Sequence, residues 1–371
     1  MPNTQRFYYS ELDGLRFIAF LLVFIHNASP ILSNTFLETF SKYSWFGVDL
    51  FFSLSAFLIT KLLVTEYEQT GKINIRNFYI RRALRIWPLY FFYIILGTII
   101  IAPVEGRNIN IPGHLAGLAT FTFNFVYLSL LPSPILIFVH LWSISYEEQF
   151  YAVIPWFIRK LTNSTQTVKL TLLVLLFLTG TIIRGSFIYF KLNSTAIYFL
   201  PITHFDSMLG GIALGLGVFD QPLNKIHSAV LWVLSIICIS AIFLLPNNNA
   251  TGWGLTLTYL LVGIAMTLIV FLITEGENLI VNKVLGNKMF IYLGKISYGL
   301  YIYHIGAAAL AVQISLSIFN IAPTQISSYW ILLLTMQLAL SLLFSVLSYH
   351  GVELRFLKLK ERFSAVASHS T

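Results

Sequence analysis

The sequence predicts an all-α protein, a polytopic transmembrane helix bundle of about ten spans with both termini cytosolic. Three observations carry that prediction. Of 371 residues, 57% are hydrophobic and only 10% are charged, too few charges to cover a water-facing surface, which in soluble domains takes roughly 25%. Apolar runs of spanning length recur between short polar loops, leaving no room for a sizeable soluble domain. The net charge of +8 comes from basic residues at the ends of those runs, where the positive-inside rule places them, so no nucleic-acid partner is expected.

The predicted spans are 12–31, 45–64, 86–103, 140–159, 170–190, 196–218, 229–246, 253–274, 290–316 and 327–349. The first run ends in His26, Asn27 and Pro30 with no small-residue cleavage site, so it reads as a retained span. Segment 114–134 is apolar and aromatic but closes on Pro132 and Pro134. If it crossed fully, Arg159, Lys160, Lys169 and the basic C-terminus would lie outside, against the rule; as a re-entrant or interfacial element it leaves only Lys42, Arg107, Arg184 and Lys191 there. No repeat or linker marks a second domain, so residues 1–371 read as one transmembrane domain.

Ionisable groups inside spans are costly and usually face a protein interior or a wet cavity, so each is a candidate functional residue. In LDGLRFIAFLLVFIH, helical rise puts His26 about 15 Å beyond Arg16 and roughly 80° around the axis. Arg16 then lies near the cytosolic face and His26 in the outer half. An imidazole there reads equally as a packing residue or a general base. In WFGVDLFFSLSAFLIT, Asp49 falls at nearly the depth of His26, where it can orient the imidazole or cap its own helix. Arg81, Arg82 and Arg85 in FYIRRALRIWPLY suit a polyphosphate ligand, or anchor the chain on lipid phosphates. In HLWSISYEEQFY, residues His140, Ser143, Glu147 and Tyr151 share one helix face, a polar stripe unsuited to lipid. Glu148 points about 100° away from Glu147. His204, Asp206 and His304 fall near mid-bilayer, and glycines 210, 211, 215 and 217 are expected to permit close helix packing. Cys238, the only cysteine, sits in an apolar run and implies no disulfide.

These segments, with LGKISYGLYIYH and the closing SYHGVELRF, resemble in content and order the acyltransferase-3 family of integral membrane O-acyltransferases. The resemblance covers essentially the whole chain. It implies transfer of an acyl group, acetyl above all, from cytosolic acyl-CoA to a hydroxyl of an extracytoplasmic or membrane-linked sugar, polysaccharide or lipid-linked glycan, at the bacterial inner membrane. Acetyl-CoA is then a donor substrate; no permanently bound cofactor and no metal is expected. By position, His26 corresponds to the family's essential histidine, Arg16 to its paired basic residue, Arg82 and Arg85 to its arginine pair. The Glu147 region matches a further signature. Nine residues separate Arg16 from His26 where the family pattern has ten, so either the helix bulges there or the two need not share a face.

The expectation is that Arg16, Arg82 and Arg85 bind the donor while His26, oriented by Asp49 or Glu147, activates the acceptor hydroxyl. The alternative is a transporter or flippase for a sugar- or acyl-linked lipid, which also calls for intramembrane charges and glycine-broken helices.

Overall fold

A computed structural model describes residues 8–28, 32, 37–101, 110–129, 135–192, 195–219, 225–245, 252–275, 279–322, 325 and 328–363. Among the described residues there are helices and turns but no strand. In chain order the helices are α1 (Ser10–Asn27), α2 (Glu38–Tyr43), α3 (Gly47–Thr70), α4 (Ile75–Ile101), α5 (Ile111–Ala119), α6 (Phe123–Leu128), α7 (Trp142–Leu161), α8 (Gln166–Tyr189) and α9 (Thr195–Phe199). They continue with α10 (Asp206–Gly215), α11 (Lys225–Ile242), α12 (Gly254–Thr274), α13 (Leu279–Leu285), α14 (Lys288–Lys295), α15 (Ser297–Ser317), α16 (Trp330–Ser348) and α17 (Leu354–Glu361).

Among the described residues, six helical stretches are long and apolar enough to cross a membrane: Glu38–Thr70, Ile75–Ile100, Gln166–Tyr189, Gly254–Thr274, Ser297–Ser317 and Trp330–Glu361. The chain is thus a multi-pass membrane protein. The other four predicted spans are also helical, and each falls short for a readable reason. Helix α1 carries Glu11, Asp13 and Arg16. Helix α7 carries Glu147, Glu148 and Gln149. In α11 the part described with its side chains is His227–Ile242, shorter than the other spans. The sixth span is broken into α9, a 3-10 turn at Pro201–Thr203 and the ten-residue α10, which rises only about 15 Å, half a bilayer core. The ninth keeps a membrane-length helix in α15 but is divided from α14 at Ile296.

Glycines set the closest contacts. Helix α10 lies along α3 because a Cβ on Gly211 would strike the Ser53 carbonyl and one on Gly215 would strike Thr60; a Cβ on Gly210 would strike Thr267 of α12. Small residues allow such approach where lipid supplies no hydrophobic driving force. Gly294 of α14 likewise meets the Asp13 backbone of α1.

The described part of 114–134 forms α5 and α6, nine and six residues long, too short to span; residues 130–134 lie outside the described set. Its backbone is held by protein, since Tyr90 donates to the Leu118 carbonyl at 3.0 Å and Gln149 to the Phe121 carbonyl at 2.7 Å. Arg184, assigned to the outer side from sequence, is fully buried in the bundle. Its guanidinium forms a fork on Asp206, 2.7 and 3.0 Å, and donates to the Thr203 carbonyl at 2.9 Å.

Candidate functional site

Helix α1 joins two polar clusters. Its first half carries Arg16, whose guanidinium donates to Asp13 at 2.6 Å; its last turn carries His26, about 15 Å further along. The helix is regular throughout, so no bulge restores a common face, and the two residues look toward different neighbours.

At the His26 end, α2 folds back so that the Ser41 carbonyl accepts from His26 Nδ1 at 2.9 Å. With its proton on Nδ1, the imidazole carries its lone pair on Nε2, the form a general base needs. Asn27 donates to the Val23 carbonyl at 3.0 Å and to His304 Nε2 at 3.1 Å. His304 Nδ1 in turn donates to the Tyr301 carbonyl at 2.6 Å. The His140 ring stands 4.9 Å from that of His304, and its Nε2 donates to the Ile302 carbonyl at 3.0 Å. Tyr301 donates to the His140 carbonyl at 3.0 Å and meets Ser143 Oγ. Three imidazoles from α1, α15 and the turn before α7 therefore form one cluster.

At the Arg16 end, four of the six candidates meet. The Glu147 carboxylate faces Ser55, Tyr151, Arg82 and Arg16, and the Arg82 guanidinium lies 5.8 Å from the Tyr151 ring centre. Arg82 also feels Arg81, Arg85 and Arg16. The polar stripe on α7 thus looks inward as its spacing predicts, with Glu148 turned aside to accept from Trp87 Nε1 at 3.3 Å. Arg81 stands apart from its neighbours. It is buried, donating to Glu66 Oε2 at 2.8 Å and to the Phe363 carbonyl at 2.7 Å, so it ties α3, α4 and the chain beyond α17 together.

Asp49 does not orient His26. It is 1% exposed and accepts from His204 Nε2 at 3.1 and 3.2 Å and from Ser207 Oγ. His204 Nδ1 donates to the Tyr198 carbonyl at 2.8 Å, so both ring nitrogens face protein oxygens and neither is turned to a substrate. Trp45, Trp142, Tyr198 and Tyr259 surround that ring, with centroids between 4.7 and 6.4 Å away. Equal depth suggested a partner for Asp49, but depth says nothing about direction around the bundle. Glu147 likewise sits with the arginines rather than with His26.

The Ser41 carbonyl is the orienting group that sequence reading missed, and a backbone oxygen leaves no signal in residue identity. Asn27 did leave one, being an amide next to His26 near a span end. Among the described residues no group of three or more His, Cys, Asp or Glu could hold a metal ion.

A family model described as an acyltransferase domain matches residues 9–350. The chain belongs to the acyltransferase-3 family. It is 28% identical over 379 aligned residues to a candidate O-acetyltransferase of Staphylococcus aureus (strain COL), covering 95% of this chain and 58% of that protein. It is 25% identical over 337 residues to the peptidoglycan O-acetyltransferase OatA of Listeria monocytogenes, covering 82% of this chain and 50% of the relative. It is 29% identical over 315 residues to the O-acetyltransferase OatA of S. aureus (strain NCTC 8325 / PS 47), covering 80% and 50%. The chain therefore spans about half the length of the curated relatives it matches. No solved structure matches it.

Proposed function

We propose that this acyltransferase-3 chain is an O-acyltransferase that moves an acyl group, acetyl by preference, from cytosolic acyl-CoA to a hydroxyl of an extracytoplasmic or membrane-linked glycan. In this reading the chain lies in the cytoplasmic membrane in ten spans, termini inside. The observation that carries the proposal is the two-ended α1, with an arginine cluster at one end and an imidazole of fixed tautomer at the other. Fixed guanidiniums suit the diphosphate of a CoA donor because they bind phosphate oxygens bidentately. The linear pantetheine arm then follows α1 toward His26.

There Nε2 takes the proton of the acceptor hydroxyl as its oxygen attacks the thioester carbonyl. Collapse of the tetrahedral adduct breaks the C–S bond, and the imidazolium returns the proton to the departing thiolate, so no net proton is consumed. Glu147, among Arg82, Arg16 and Tyr151, holds the guanidiniums in register and leaves the base to its carbonyl partner.

The test uses the whole protein purified into nanodiscs, with labelled acetyl-CoA and a glycan acceptor. Transfer should fall about 10²–10⁴-fold in His26→Ala, the range lost with a general base. Wild-type turnover in that variant rejects the assignment, and substrate movement across the bilayer without CoA release supports a transporter instead.

A further inference from the structure

The imidazole end holds one open acceptor that the chemistry proposed above leaves unused. His140 lies in the 3-10 turn Leu136–Leu141 before α7 and is 4% exposed. Its backbone and its ring are both held. The carbonyl accepts from Tyr301 Oη at 3.0 Å and from Ser143 Oγ at 3.1 Å, and ring Nε2 donates to the Ile302 carbonyl at 3.0 Å. That last bond puts the ring proton on Nε2 and leaves a lone pair on Nδ1. Among the described histidines, His140 Nδ1 is the one buried ring nitrogen without a hydrogen-bond partner. His204 and His304, by contrast, use both of theirs.

The donors around this ring are engaged elsewhere. The rings of His304, Tyr301 and Tyr93 stand 4.9, 5.5 and 5.9 Å from it between centroids. His304 Nδ1 donates to the Tyr301 carbonyl and Tyr93 to the Ile137 carbonyl, while Tyr301 and Ser143 donate to the His140 carbonyl. Asn27 gives its amide hydrogens to Val23 and His304. None of these neighbours turns a hydrogen to Nδ1 without breaking a bond it already makes. Buried polar atoms in folded proteins have partners, and a ring clamped in this way is pre-organised to receive one. With the described neighbours engaged, that partner comes from a bound molecule.

We propose that His140 is a substrate-binding residue: its Nδ1 accepts a hydrogen bond from an N–H or O–H group of a substrate held in the imidazole cluster. Its place fits, because Asn27 follows His26 on α1 and bonds His304, whose ring borders that of His140. This rests on the acyl-transfer reading above. Under that reading two substrates bring such donors to the His26 end, the pantetheine arm with its amides and the acceptor sugar with its hydroxyls.

The test measures KM separately for acetyl-CoA and for a surface-glycan extract of the native cells, on the whole protein in nanodiscs. It compares wild type, His140→Phe and His140→Asn, with thermal stability followed in parallel. Phe keeps a ring and removes the acceptor; Asn keeps an acceptor oxygen near the Nδ1 position. His140→Phe should raise a KM about tenfold, the effect of losing one hydrogen bond of ordinary net strength, and His140→Asn should stay within about threefold of wild type. A rise for acetyl-CoA assigns the bond to a pantetheine amide, and a rise for the glycan assigns it to an acceptor hydroxyl. Unchanged KM values in His140→Phe, or a rise that His140→Asn does not reverse, overturn the His140 assignment and leave the acyl-transfer reading standing. Should His140→Phe not fold, nitrogen NMR of the wild type with isotope-labelled histidine decides: the His140 Nδ1 resonance should move on adding CoA or the extract, and one that moves with neither overturns the assignment. A wild type that transfers no acyl group overturns both.

Discussion

Removing the Asp49 carboxylate separates a structural role from a catalytic one. In Asp49→Ala, His204 Nε2 and Ser207 Oγ lose their acceptor inside the bundle. A stranded buried donor costs about 1–3 kcal/mol, so two give about 2–6 kcal/mol. Membrane bundles fall toward the low end, because the unfolded chain in lipid also finds partners, which leaves an expected loss of about 2–3 kcal/mol. Unfolding equilibria of the detergent-solubilised protein measure this directly. A double-mutant cycle with His204→Ala should show coupling of about 1 kcal/mol or more, whereas a cycle with His26→Ala should be additive, since His26 takes its orientation from Ser41. Acyl transfer per folded molecule should change by less than about tenfold. A 10²–10⁴-fold loss of turnover at unchanged stability, or coupling to His26 instead of His204, would refute the assignment of Asp49 to His204.

Two further outcomes follow from packing and charge. Arg81→Met should destabilise the fold by about 3–5 kcal/mol, because it leaves Glu66 as a lone buried charge; Arg82→Met should instead raise the KM for acetyl-CoA with a smaller stability loss, and equal effects from the two would overturn the division of roles. Gly211→Leu should force α10 off α3, costing about 1–3 kcal/mol or more by overpacking; a variant with wild-type unfolding would show that the two helices do not need their close approach.

Much of the fold was legible because a bilayer punishes polar exposure along the whole chain. Among the described residues each of the ten apolar segments contains α-helix, and glycines 210, 211 and 215 of α10 pack closely against α3 and α12 as expected. The inward stripe of His140, Ser143, Glu147 and Tyr151 was readable for the same reason. What charge and depth misjudged were directions. Asp49 and His26 were expected at one depth and so as partners, yet Asp49 pairs with His204 and His26 with the Ser41 carbonyl. The break between α9 and α10 was hidden because Pro201 and Asp206 sit within a run whose hydropathy still averages as a span.

By itself the sequence determined a helical multi-pass membrane protein, its family, and the residue types that carry chemistry, because hydropathy and motif order are properties of the chain read in one dimension. Only the tertiary structure decided who meets whom: the Ser41 carbonyl on His26, His204 on Asp49, Glu66 on Arg81. Those pairings depend on the rotation of each helix about its axis and on which helices are neighbours, and helix packing sets both.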